Sequence, residues 1–193
     1  MLISIHGATA LAAPTKLMIY GDSLSAGYGL PLEQSWASLL QQALPAAKWR
    51  IINASVSGET TSGGLARLPQ QLQHHQPDIL LLELGGNDGL RGLPPKQMQK
   101  NLAEMIKLAK AQQIKVILMQ IRIPPNYGPR YTQLFDAVYP ALAAEHDITL
   151  WPFFLDDIAT KPELMQADGI HPNAKAQPLL VSWMKTQLAT LTK

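Results

Sequence analysis

Four short segments of the 193-residue chain join reactive side chains to turn-forming ones: Gly21-Asp22-Ser23-Leu24-Ser25, Val56-Ser57-Gly58-Glu59-Thr60, Gly85-Gly86-Asn87-Asp88-Gly89 and Asp168-Gly169-Ile170-His171-Pro172. A serine hydroxyl attacks an acyl carbon only when a base takes its proton, and histidine is the side chain poised for that near neutral pH. The histidine needs an acceptor on its other nitrogen, to fix its tautomer and stabilise the imidazolium. Asp168 stands three residues before His171, within reach across one turn. Pro172 suits the first position of a following helix and stiffens the chain beside His171. The oxyanion that develops during attack needs preorganised donors, each worth roughly 3–4 kcal/mol in other hydrolases. The Ser23 amide, the Gly58 amide and the Asn87 carboxamide are three candidates. Ester cleavage through a serine needs this set.

These residues work together only if the fold brings them to one place. Five apolar runs read as strands: Lys16–Gly21, Trp49–Ser55, Asp78–Gly85, Lys115–Ile121 and Ile148–Pro152. The third and fourth are almost continuously apolar, as in parallel strands covered on both faces. Helices are expected between and after them, at about Gln34–Ala43, Thr61–His74, Pro95–Gln112, Pro129–His146 and Asn173–Leu191. Met98, Leu102, Met105, Ile106, Leu108 and Ala109 form one helical stripe. Leu179, Leu180, Trp183, Met184, Leu188 and Leu191 form another, and both read as core. Pro69, Pro140 and Pro178 fall inside three of the helical spans, so a kink or a shorter helix is expected at each. The alternation predicts a three-layer α/β sandwich around a parallel sheet. No linker, repeat or low-complexity segment interrupts it, so residues 15–193 read as one domain. Ligands of open parallel sheets sit beyond the carboxyl ends of the strands, where strand order reverses. Each of the four polar segments lies beyond such an end, so all four are expected on one edge.

Taken singly, the segments have plainer readings. Gly, Asp and Ser are ordinary turn formers, and Asp22 reads as an acceptor of backbone N–H groups rather than a catalytic group. Ser25 replaces the second glycine of the G-x-S-x-G nucleophile elbow, which disfavours an α/β-hydrolase. The phosphate-loop pattern and its lysine are missing, and Asp22 would repel the phosphate of a flavin. His74 and His75 sit at a helix C-terminus, where they favour the dipole, and His146 ends another helix. No cluster has metal-ligand spacing, so no metal and no cofactor is expected. Asn53-Ala54-Ser55 matches a glycosylation sequon by coincidence at a strand end. Glu59 reads as a solvated loop charge.

Taken jointly and in order, the blocks GDS, a glycine after the second strand, GGND and DGIHP resemble the SGNH (GDSL) hydrolase family. The resemblance runs from about Leu17 to the final helix. GDSLSAGYG, LLELGGND and DGIHPN are most similar to the bacterial acyl-CoA thioesterase, arylesterase and lysophospholipase subgroup. Residue by residue it implies Ser23 as nucleophile, Gly58 and Asn87 as oxyanion donors, His171 as base and Asp168 as its orienter. It also implies a flavodoxin-like five-stranded sheet of order 2-1-3-4-5, with the crevice between the first and third strands. Ser25 then becomes a loop hydrogen-bonder.

The bulk composition narrows the remaining classes. A net charge of +2 and no Lys/Arg block argue against a nucleic-acid partner. The absence of cysteine removes disulfides and thiolate chemistry. Residues 1–14, MLISIHGATALAAP, carry an apolar run and a small-x-small pattern like a secretory leader without its charged end. That predicts a periplasmic or secreted protein, otherwise a cytoplasmic one, acting as a monomer. No run reaches the roughly 20 apolar residues of a membrane span.

Three segments are placed to wall a substrate cleft: Asp88–Pro95, Ile121–Pro129 and Trp151–Leu155. They are rich in Leu, Ile, Pro and aromatics, which suits an acyl chain better than a sugar. Leu90, Arg91, Pro124, Pro125 and Tyr127 are the candidate contacts, while Trp151–Leu155 reads equally as core cover. The expected substrates are acyl esters and thioesters of medium to long chains, among them aryl esters, acyl-CoA and lysophospholipids, cleaved through an acyl-Ser23 intermediate. The alternatives are a carbohydrate O-acetylesterase with the same machinery and a lipid-binding module without it.

Overall fold

A computed structural model describes residues 13–191. All five apolar runs become strands of one parallel sheet: β1 (Thr15–Gly21), β2 (Trp49–Asn53), β3 (Ile79–Glu83), β4 (Lys115–Met119) and β5 (Thr149–Trp151). Their order is β2-β1-β3-β4-β5. β1 pairs with β2 through Leu17 opposite Ile51, and with β3 through Ile19 opposite Leu81. Every residue of β3 is buried, as its apolar run requires of a strand covered on both faces.

The helices are α1 (Ser23–Ala26), α2 (Trp36–Ala43), α3 (Thr61–His75), α4 (Gly86–Leu90), α5 (Pro95–Ala111), α6 (Pro129–Asp136), α7 (Val138–His146) and α8 (Gln177–Thr190). Parallel crossovers are right-handed, so the leftward step from β1 to β2 puts α2 on one face. The rightward steps to β3, β4 and β5 put α3, α5 and α7 on the other. The packing agrees: α2 lies against α8, α3 against α5, and α5 against α7. No described helix is long and apolar enough to cross a membrane.

The differences from expectation lie at helix breaks and strand ends. The single helix expected over Pro129–His146 is two, meeting at Ala137, so Pro140 falls in the first turn of α7. Pro178 is the second residue of α8, again where the N–H that proline lacks would have no intrahelical acceptor. The segment from Asn173 to Ala176 precedes α8 as a turn, because Asn173 Oδ1 accepts the Lys175 N–H at 2.9 Å. Pro69 remains inside α3 on its exposed side. The α5 stripe is buried except for half-buried Leu108, whereas Leu179 of α8 faces solvent and Val181 takes a place in the core. α1 and α4 are one-turn helices in stretches expected as loops, and they carry Ser23 and Asn87.

Candidate active site

β1 delivers the chain to the point where the strand order reverses. Asp22 caps α1, its Oδ1 accepting the Leu24 N–H at 3.0 Å, and Ser23 is the first residue of that turn. Gly27 closes the turn in the left-handed region, at φ 79°. Ser23 is half-buried at the floor of a cavity.

The segment beyond β5 folds into a hairpin, with Met165 bridging antiparallel to Pro172. Asp168 turns its tip: Oδ1 accepts the N–H of Ile170 at 2.9 Å and of His171 at 3.0 Å. Asp168 Oδ2 lies 2.7 Å from His171 Nδ1, and His171 Nε2 lies 2.8 Å from Ser23 Oγ. With Nδ1–H donating to the carboxylate, Nε2 is free to accept the serine proton. Partial burial pulls the Asp168 carboxyl up, but the His171 N–H, the imidazole and the Ile170 N–H outweigh it and hold it at about 2. Asp168 therefore stays ionised beside the imidazole.

Two further segments meet this pair. Asn87, on α4 beyond β3, donates one Nδ2 hydrogen to Asp22 Oδ2 at 3.1 Å, leaving the other for a ligand. Gly58 sits at φ 78° in the loop after β2, its carbonyl held by Arg91 Nη2 at 3.1 Å. The N–H groups of Ser23 and Gly58 donate to none of the described residues. The thread beyond them is a buried clamp: Gln177 Oε1 accepts the Trp36 N–H at 2.8 Å, and its Nε2 reaches the carbonyls of Pro172 and Asn173. Trp36 Nε1 in turn donates to Leu24 O at 3.1 Å.

Under Ser23 lies a feature that sequence reasoning missed. Asp22 is buried, and Glu83 at the end of β3 is buried beside it. Glu83 Oε2 accepts Ser25 Oγ at 2.6 Å and the Asp22 N–H at 3.4 Å. Burial raises the Asp22 carboxyl to about 6, against the pull of the Leu24 N–H, the His171 ring and Asn87. Burial, and after it the Asp22 charge, also raise the Glu83 carboxyl well above the usual carboxylate range, against the Ser25 hydroxyl and the Asp22 N–H. A Cβ at Gly21 would lie 2.2 Å from Glu83 Oε2, which explains the glycine ahead of Asp22. The signal was Glu83, an acid set among the leucines of the apolar run DILLLELG. Ser25 is the loop hydrogen-bonder expected, with Asn53 Nδ2 on its carbonyl at 2.8 Å. The sequon asparagine is thus a structural tie.

The cavity has a volume of about 500 Å³ and runs from Ser23, Asn87 and His171 into an apolar enclosure. Leu90, Pro124 and Pro125 line it as expected, with Ile121, Ile123 and Phe153. Arg91 and Tyr127 do not. Arg91 turns to Gly58, and Tyr127 donates to Leu90 O at 2.8 Å while facing a separate hollow with Tyr131 and Leu134. Both brace the wall from behind. Phe153 and Leu155 line the cavity while Trp151 and Phe154 stay in the core, so that segment does both jobs. Arg122 and Asp156 form an ion pair at 2.9 Å in the cavity wall. Glu59 is not a solvated charge: it pairs with Arg67 at 3.2 Å, mostly buried.

Known proteins resemble this chain over most of its length. The chain matches the GDSL-like lipase/acylhydrolase family over residues 19–178. An arylesterase of Vibrio mimicus is 51% identical over 181 residues, covering 93% of this chain and 90% of that protein. Thioesterase 1/protease 1/lysophospholipase L1 of Escherichia coli K12 is 49% identical over 184 residues, covering 93% and 86%. The solved psychrotrophic esterase EstA of Pseudoalteromonas sp., inhibited by monoethylphosphonate, superposes with a TM-score of 0.90 at 44% identity, over 92% of this chain and 98% of that one. A serine, a histidine and a carboxylate converging on an apolar cavity thus occur in a chain that belongs to the GDSL-like lipase/acylhydrolase (SGNH) family and is a hydrolase of ester bonds.

Proposed function

We propose that the protein hydrolyses acyl esters and thioesters of medium to long chain, including aryl esters, acyl-CoA and lysophospholipids, through an acyl-Ser23 intermediate. The observation that carries this reading is the Ser23–His171–Asp168 hydrogen-bond chain opening onto an apolar cavity of about 500 Å³. The names of the arylesterase and thioesterase/lysophospholipase relatives support it.

His171 Nε2 takes the Ser23 proton as Oγ bonds to the acyl carbon. The carbonyl oxygen becomes an oxyanion, held by the N–H groups of Ser23 and Gly58 and by Asn87 Nδ2. His171 then protonates the leaving oxygen or sulfur as its bond to carbon breaks. A water, losing its proton to His171, attacks the acyl-enzyme, and Ser23 recovers the proton as the acid departs. Asp168 stabilises the imidazolium in both half-reactions. The acyl chain lies along Ile121, Ile123 and Phe153.

Rates on p-nitrophenyl acetate and decanoate, acyl-CoA, a lysophospholipid and an acetylated sugar, run beside Ser23→Ala, test this. Decanoate should outpace acetate, and Ser23→Ala should abolish turnover and fluorophosphonate labelling. A strong acetate or acetyl-sugar preference would instead mark a carbohydrate O-acetylesterase, and folded protein that takes no label would mark a binding module. Residues 15–193 form one domain on this reading, since every described strand lies in one sheet. The leader-like residues 1–14, of which 1–12 lie outside the described residues, direct export to the periplasm or beyond. The intact mass of the chain from a periplasmic fraction tests cleavage. One chain supplies the whole site, consistent with a monomer, which light scattering checks.

A further inference from the structure

The two halves of the site come from segments far apart in the chain, and one exposed side of the site has its own tie between them. The Tyr28 N–H donates to Ser23 O at 3.3 Å. Tyr28 O accepts Gln166 Nε2 at 2.8 Å. Gln166 donates its own N–H to His171 O at 2.8 Å, and its Nε2 also reaches Pro172 O at 3.2 Å. A run of hydrogen bonds therefore passes from Ser23 through Tyr28 and Gln166 to His171.

The Tyr28 ring completes the arrangement. Its centroid lies 4.4 Å from that of the His171 imidazole, with the planes inclined by 36°. Gly29 follows at φ 74°, and a Cβ there would stand 2.3 Å from Gln166 Oε1, so the bare backbone admits the carboxamide. Neither role is explained elsewhere. Tyr28 is 51% exposed and contributes nothing to the core, and neither residue lines the acyl cavity. Asp168 cannot do this job, because it sits on the same hairpin tip as His171 and moves with it. The Gln177 clamp holds Pro172 only from the buried side.

We propose that Tyr28 and Gln166 form a latch that holds the His171 imidazole against Ser23, and that both are positioning residues for the reaction. The inference rests on Ser23 and His171 being nucleophile and base. Misplacing a reacting group by about 1 Å costs up to roughly 100-fold in rate, which is the scale on which a loosened imidazole should show.

The test is steady-state kinetics on p-nitrophenyl decanoate with Tyr28→Ala, Tyr28→Phe, Gln166→Leu, Gln166→Glu and the Tyr28→Ala/Gln166→Leu double variant. Fluorophosphonate labelling rates and melting temperatures are measured alongside. Tyr28→Ala, Gln166→Leu and Gln166→Glu should each lower kcat by roughly 10- to 100-fold and leave KM within about twofold. Labelling should slow in parallel while melting temperature holds. Tyr28→Phe should keep the native rate, since the ring and not the hydroxyl meets His171. The double variant should be little worse than the poorer single one, as two parts of one device are non-additive. Losses in KM rather than kcat, equal losses in Tyr28→Phe and Tyr28→Ala, or native rates in the single variants would each overturn the latch. Ser23→Ala separates the two levels of the argument. If it retains activity, the nucleophile assignment fails; if it is dead while latch variants are native, only the latch fails.

Discussion

Ser23 stands on a turn whose supporting polar groups are buried beneath it, whereas His171 stands near the tip of an exposed hairpin. The first region takes its geometry from the sheet: Glu83 ends β3 opposite Gly21, the last residue of β1, and Asp22 follows directly, both acids buried. The second takes its geometry from local bonds, the Asp168 carboxylate accepting two N–H groups within its own turn. A buried polar group left without a partner costs far more than an exposed one. Substitutions in the first region should therefore damage stability and rate together, and those in the second should damage rate with only a small loss of stability.

The largest expected effect tests the exposed side. His171→Ala should lower kcat/KM by about 10⁴-fold or more, since removing one triad member leaves only oxyanion and binding contributions. Its melting temperature should stay within about 2 °C of native, because among the described residues the ring hydrogen-bonds to Ser23 and Asp168 and stacks on Tyr28, which is itself half exposed. A large loss of stability, seen by thermal scanning, would break the contrast. Asn87→Ala comes next, with kcat reduced roughly 10²- to 10³-fold. It should also destabilise modestly, since Asp22 Oδ2 loses its donor. Glu83→Ala then sharpens the buried side: it leaves Ser25 Oγ and the Asp22 N–H unpaired beside a cavity. Urea unfolding should show a loss of about 2–4 kcal/mol. A loss under about 1 kcal/mol would mean the carboxyl pair does not support the turn.

The same contrast explains what could be read from the amino-acid sequence. Ser23, Asn87 and the Asp168/His171 pair were legible because strand periodicity put their segments on one sheet edge and the order of the segments did the rest. Strand order was what the family resemblance implied, while the α5 core stripe followed from an apolar pattern that the core must satisfy. The buried supports were not legible. Asp22 read as an acceptor of backbone N–H groups, as it is, but its pairing with Glu83 did not show, because Glu83 was absorbed into an apolar run whose meaning depends on which strand lies beside it. Arg91 and Tyr127 were placed in the right segments but point behind the wall, since sequence spacing does not fix which way a loop side chain turns. The split of α6 from α7 at Ala137 hinges on Pro140 finding a first-turn position, which depends on tertiary packing.

The smallest effect is the one in which the two regions should oppose each other in sign. The Asp168 carboxyl is held at about 2, below its unfolded value of about 3.9. Its contribution to stability is therefore present above about pH 4 and lost as pH falls towards 2. Asp22 is raised to about 6, chiefly by burial, and burial and the Asp22 charge raise Glu83 too. Their contribution is complete below about pH 4 and declines as pH rises through 6 and beyond. Thermal unfolding from pH 3 to 8 separates the two. Native protein should gain on Asp168→Asn as pH rises from 3 to 5, and then keep a constant lead. It should lose ground to Glu83→Gln as pH rises from 5 to 8, because the amide needs no proton to stay neutral under Ser23. Asp168 is partly exposed, so solvent screening keeps its share small and the slope, not the height, is the quantity to read. Slopes of the same sign for both variants would mean that the buried pair and the exposed hairpin carry their charge in the same way.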